Sequence, residues 1–366
     1  MAFASETTSD LSWSIVPSPR KVGTFSQLYG VSVLSPTEAW AVGQRAANEP
    51  APLIYRWDGR RWKQVVAAPI ANSYFDDVFA ISSSDVWAVG VQIRDDNSPD
   101  LSLTQHWNGT AWSIVPSPNP SRDPAYGENY LAAVAGAAPN DVWAVGYQQT
   151  SRGYSEIIIH WDGVAWTLVP PQPGDWRFLT DIAILSASDV WAVGYQFDFR
   201  NGYQGLSMHW DGSNWSDVPF PVADLGFYVH GMTALSDSDI WVVGNVSGYP
   251  VTPVTAHWNG TSWSLVDITN FEPPYGSLKA VAALAENDVW AVGYYRDTLG
   301  GKDENLVEHW DGVAWTQVPV PNVGQALNQL YDLAPDQAGG LWTVGYFYPY
   351  PDFSKPVSTL VIRGTP

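Results

Sequence analysis

The chain has 366 residues, no cysteine, and 17 basic against 37 acidic side chains, a net charge of −20. Without cysteine there are no disulfides, thiolate metal ligands or cysteine nucleophile, and without a basic footprint nucleic acid is excluded as a partner. No run approaches 18 apolar residues, so no segment is expected to enter a membrane.

At the N-terminus, Met-Ala-Phe-Ala-Ser-Glu has neither a basic region nor a long apolar run, so no signal peptide is visible. Residues 1–10 are expected to be flexible, and a single domain is expected over 11–366. From there one phrase governs the chain. Trp-Ala-Val-Gly or a near variant begins at Trp40, Trp87, Trp143, Trp191, Trp241, Trp290 and Trp342. A spacing of about 50 residues between short apolar runs is the mark of a β-propeller.

A second phrase keeps the same beat. Trp-Asp-Gly or Trp-Asn-Gly begins at Trp57, Trp107, Trp161, Trp210, Trp258 and Trp310, each with another Trp five residues on. Asx-Gly pairs form hairpin turns, because Gly tolerates positive φ and the Asx side chain bonds the turn backbone. Each unit therefore reads as four antiparallel strands, for example 131–136, 142–147, 157–161 and 165–169 in the third. No stretch shows helical periodicity.

The seventh unit lacks a fourth strand, since Arg363-Gly364 stands where Asp-Gly is due. The missing strand is at the other end: Leu11-Ser12-Trp13-Ser14-Ile15-Val16-Pro17 matches the residues around Trp112. The expected fold is all-β: a seven-bladed propeller, four strands per blade, closed by the N-terminal strand.

The order Val-Trp-Ala-Val-Gly, loop, apolar strand, Trp-Asp-Gly-x-x-Trp resembles the kelch repeat over most of the chain. It departs at the second Gly, replaced by Gln44, Val91, Tyr147, Tyr195, Asn245, Tyr294 and Tyr346. The turn is also similar to the Asp-box of sialidase-like propellers. The resemblance implies a binding or adhesive propeller. The copper-oxidase activity found among kelch-like proteins needs a Cys–Tyr cofactor, which a chain without cysteine cannot form.

Short, uniform turns join strands one to two and three to four, whereas the other connections are long and different in every blade. Variable loops on a rigid scaffold are where binding resides, so the site is expected on the face they share, at the channel mouth. Five of the six His precede the Trp-Asx-Gly turn and read as structural; His230 does not. It lies 11 residues before Trp241, and the equivalent positions are Tyr29, Asp76, Ala132, Thr180, Lys279 and Tyr331. One step on stand Asp77, Asp181 and Asp332.

These positions should ring the mouth where the inner strands begin. If the protein is an enzyme (a lyase, hydrolase or cyclase), His230, Lys279, Tyr331 and Asp332 are the acid–base candidates. No cofactor is required, although Asp76, Asp77, Asp181 and Asp332 offer oxygen ligands for Ca²⁺. The acidic stretch Asp95-Asp96-Asn97 lacks calcium-loop spacing.

Aromatic residues enrich the same face, among them Tyr126, Tyr130, Phe178, Tyr228 and Phe353. Trp176, the one Trp outside the repeat, is the leading ligand-binding candidate. Flat rings beside carboxylates and amides suit a pyranose. The expected function is glycan recognition, with Trp176, Tyr29, Asp76, Asp77, Tyr130, Phe178, Asp181 and Tyr228 as ligand contacts and an extracellular setting slightly favoured. A protein partner is the further alternative.

Overall fold

The structure, a computed structural model, describes residues 11–19, 24–46, 49–94, 98–122, 127–170, 172, 174, 176–220, 226–246, 248, 250–268, 271, 275–298, 300–350 and 356–366. The expected flexible segment 1–10, the stretch Asp95-Asp96-Asn97, Tyr126 and Phe353 lie outside the described residues. Seven four-stranded antiparallel sheets form the blades of a ring. No helix among the described residues is long and apolar enough to cross a membrane.

In blade 3 the strands are Asn129–Ala138, Asp141–Thr150, Gly153–Trp161 and Trp166–Val169, slightly longer than the sequence pattern suggested. The Asx-Gly turn works as its chemistry requires. Asp162 Oδ1 accepts the backbone N–H groups of Val164 at 2.8 Å and Ala165 at 2.9 Å, and Gly163 takes a φ of 93°.

Closure is made by the N-terminal strand. Ser12–Ile15 pairs antiparallel with Ser358–Thr365, Trp13 opposite Gly364 and Ile15 opposite Ile362. Six blades thus take their outer strand from the following chain, and blade 7 takes it from the start of the molecule.

One aromatic device is repeated at the blade junctions. The Trp that opens each Trp-Ala-Val-Gly phrase inserts against the Trp pair of the next blade. Trp143 lies 5.3 Å from Trp210 and 5.7 Å from Trp215; Trp40 sits likewise against Trp107 and Trp112. Its other neighbour is the His of its own blade. His160 stacks 4.2 Å from Trp143 while its Nε2 meets Asp141 Oδ1 at 2.8 Å.

The same His–Asp pairing recurs at His106, His209, His257 and His309. In blades 1 and 7 an Arg replaces the His: Arg56 pairs with Glu38 over Trp40, and Arg363 with Asp336 over Trp342. The five repeated His are therefore packing elements, as their place in the repeat indicated.

Candidate functional site

Every inner strand carries an extra residue relative to its partner strand near its first third, and six of the seven carry a second one near the turn. The ladder slips between Leu28 and Gly30, Phe75 and Asp77, Leu131 and Ala133, and Leu179 and Asp181. The same slip falls between Val229 and Gly231, Leu278 and Ala280, and Leu330 and Asp332. The residues left unpaired at this slip are Tyr29, Asp76, Ala132, Thr180, His230, Lys279 and Tyr331. A β-bulge re-aims its extra side chain, and all seven line one cavity of about 240 Å³ at the channel mouth.

The repeat pattern alone places these seven at strand starts. They lie instead inside the strands, several residues from the ends, because the bulge and not the loop turns them inward. The last Gly of the repeated phrase makes room for the bulge: a Cβ on Gly146 would run into the Tyr130 carbonyl oxygen.

Asp77, Asp181 and Asp332 bond backbone N–H groups of two blades each. Asp77 Oδ1 accepts the N–H of Val78 at 2.7 Å, and its Oδ2 accepts that of Val134, on the next blade, at 2.9 Å. Asp181 joins Ile182 to Met232, and Asp332 joins Leu333 to Val31, in the same way. These carboxylates clamp blade 2 to 3, 4 to 5 and 7 to 1.

They also form the waist of the channel, bordering both the mouth cavity and a second chamber of about 370 Å³. Calcium binding by these three would have to displace those backbone donors. Among the described residues no group of three or more His, Cys, Asp or Glu is placed to hold a metal ion.

Among the bulge residues, burial alters the chemistry of a carboxyl, an amine and an imidazole. Burial pushes the Asp76 carboxyl up to about 8, tempered by the nearby Tyr130 hydroxyl, and its Oδ2 is buried without a hydrogen-bond donor. Burial lowers Lys279 to about 8. Burial, reinforced by the Lys279 charge, lowers His230 to about 3.

His230 Nε2 lies 2.8 Å from Asn245 Oδ1 and 3.2 Å from Lys279 Nζ. One nitrogen cannot donate to Oδ1 and accept from Nζ at once. If Nε2 carries the proton, it donates to Asn245 and the lysine stands as the neutral amine; if it is bare, it accepts from the ammonium. The direction of the His230–Lys279 contact is thus set by the histidine tautomer.

Around this pit runs an aromatic belt. Tyr29 meets Tyr74 and Tyr331 edge to face at 6.2 Å and 5.6 Å. Tyr130 stacks on Tyr147, Phe178 on Tyr195, and Tyr331 on Tyr346. Tyr228 touches Tyr195 and Tyr203, so rings link blade to blade from Tyr147 to Tyr228.

Trp176 is on the mouth face but outside the pit, at the rim between the hairpins of blades 3 and 4. Its ring contacts Tyr154, Phe197 and Phe199, its φ is 62°, and Phe199 beside it is 80% exposed.

The structure thus gathers Tyr29, Asp76, His230, Lys279 and Tyr331 in one pit, with Asp77, Asp181 and Asp332 at its floor. Tyr130, Phe178 and Tyr228 belong to the belt above, and Trp176 to its outer end. Missed in the sequence were Tyr147, Tyr195, Tyr294 and Tyr346, which pair with Tyr130, Phe178, Ser277 and Gln329 across the first two strands. The signal was present, since these residues occupy the position where a kelch repeat has its second Gly.

No family model matches the chain, and no curated protein matches it in sequence. The kelch-like assignment therefore finds no support, although the blade count and closure stand. Solved structures share the fold at low identity. YCF48 bound to D1 peptide is 14% identical over 97% of both chains, with a TM-score of 0.59. The WD40 β-propeller domain of Doa1 is 8% identical, covering 96% of this chain and 97% of that one, with a TM-score of 0.59. SapL1 lectin in complex with α-methyl fucoside is 15% identical, covering 81% and 97%, with a TM-score of 0.50. At these identities the likeness is one of fold: this chain is a closed seven-bladed β-propeller.

Proposed function

We propose that the protein is a binding propeller that recognises a glycan on its mouth face. The observation that carries this reading is the juxtaposition of a partly exposed aromatic belt with a polar pit at one end of the channel. A pyranose presents an apolar face to such rings and hydroxyls to such polar groups. That a fucoside-bound lectin shares the fold is compatible with this reading, as a peptide-bound YCF48 is with a protein ligand.

A glycan array with wild type and Trp176→Ala is the test. Loss of one ring stack of about 1.4 kcal/mol lowers affinity about tenfold. The melting temperature should fall only slightly, because the ring joins the rim hairpins of blades 3 and 4 and is no part of the Trp packing in the blade cores. An array without hits, or an unchanged affinity in the variant, removes the glycan reading.

A second reading rests on the 3.2 Å His230–Lys279 contact. In it the pair exchanges a proton with a bound substrate, Tyr331 helps to orient it, and Asp332 contributes only through the floor it clamps. His230→Ala and Lys279→Ala should then each lower turnover at least a hundredfold with the fold intact; turnover unchanged in both rejects it.

A further inference from the structure

An acidic and two basic groups stand on opposite walls of the mouth pit. The blades follow chain order around the ring, each inner strand packed on the next and the last on the first. With seven blades, blade 2 faces the junction of blades 5 and 6 across the channel. Asp76 is on blade 2, His230 on blade 5 and Lys279 on blade 6, and all three line the cavity.

Among the described residues neither end has an ion-pair partner, and the Asp76 carboxyl has the Tyr130 hydroxyl beside it. Lys279 Nζ has His230 Nε2 at 3.2 Å and the Tyr294 ring at 5.6 Å, and no carboxylate forms an ion pair with it. The buried Oδ2 of Asp76 has no donor, and the edge-to-face pair of Tyr29 and Tyr74 lies on its side of the pit. A carboxyl group among tyrosine rings suits an ammonium, and an unpaired lysine beside a histidine suits a carboxylate. A simple cation would leave Lys279 unmatched, and a simple anion would leave Asp76 so. At about 240 Å³ the cavity is smaller than those that enclose drug-sized ligands.

We propose that the pit takes a small zwitterion, with its ammonium against Asp76 beside Tyr29 and Tyr74 and its carboxylate against Lys279 and His230. This rests on the mouth being the ligand-binding end and deepens that reading by naming the chemistry of the innermost guest.

The test is calorimetric titration of the whole chain with linear ω-amino acids from glycine to 6-aminohexanoate. Each is compared with the alkylamine and the alkanoate of the same length. One chain length should bind at least tenfold more tightly than both singly charged analogues. Asp76→Asn should abolish that advantage, as should Lys279→Met. If no ω-amino acid surpasses its analogues, the proposal is overturned; because this comparison uses wild type, it stands even if a variant misfolds. The glycan array separates the two readings. Array hits that depend on Trp176 without zwitterion binding leave the sugar site standing and reject the zwitterion, and the converse outcome rejects the sugar alone.

Discussion

A chain that starts at residue 18 is expected to lose its closed ring. Blade 7 would keep three strands, and Ser358–Thr365 would become an open edge that templates association. The aromatic device fails at the same place. Trp290 of blade 6 packs 5.5 Å from Trp13, because blade 7 has Gly364 where other blades have the first Trp of their pair. Leu11, 7% exposed, leaves the same core with it. Losing a large aromatic and a leucine costs roughly 5–10 kcal/mol by large-to-small measurements, comparable with the whole stability of a domain.

Urea denaturation followed by tryptophan fluorescence reads the loss, and size-exclusion chromatography reads the association. Residues 11–17 appended after Pro366 through a short turn should restore both. A truncated chain that melts within about 2 °C of the intact one would show that the N-terminal strand does not hold the ring.

Stability is expected to rise as the pH falls from 8 to 6. Burial is the leading cause of the raised pKa of Asp181 and Asp332, both about 7, and of Asp76 at about 8. Asp77 is raised by burial and then by Asp332. Unfolded carboxyls titrate near 4. Between that value and the folded pKa the folded state holds protons that the unfolded chain has released, so stability falls as pH rises through this window. Moving one such group from 3.8 to about 7 corresponds to on the order of 4 kcal/mol.

Relief of the −20 net charge acts in the same direction. Calorimetry at pH 8.5, 7.0 and 5.5 should give a rising melting temperature, and Asp181→Asn with Asp332→Asn should flatten the profile. A flat or opposite profile in the wild type would mean that these clamps are ionised at little cost.

Most of the architecture was legible because repetition amplifies weak signals. Seven copies of Trp-Ala-Val-Gly revealed the blades, and the stray strand around Trp13 revealed the closure. The odd histidine also stood out: five His fit one slot and His230 did not. What escaped was the bulge. Buried residues step by three at Leu28–Val31, Phe75–Val78 and Leu179–Ile182, a phase slip in a period of two that marks an inserted residue.

Without that slip the seven channel residues could be counted but not aimed. The waist carboxylates looked like ligands because no residue spacing announces a backbone N–H from another blade. The kelch resemblance rested on turn chemistry, which many antiparallel hairpins share, and its failure at the second Gly was where the aromatic belt began.

The most direct test of the convergent mouth is a crystal structure with the ligand that the array or the titration identifies. Density is expected above and within the pit bounded by Tyr29, Asp76, His230, Lys279 and Tyr331. A ligand held on the short-turn face, or between outer strands while the pit stays filled only by solvent, would contradict the assignment of function to the bulges.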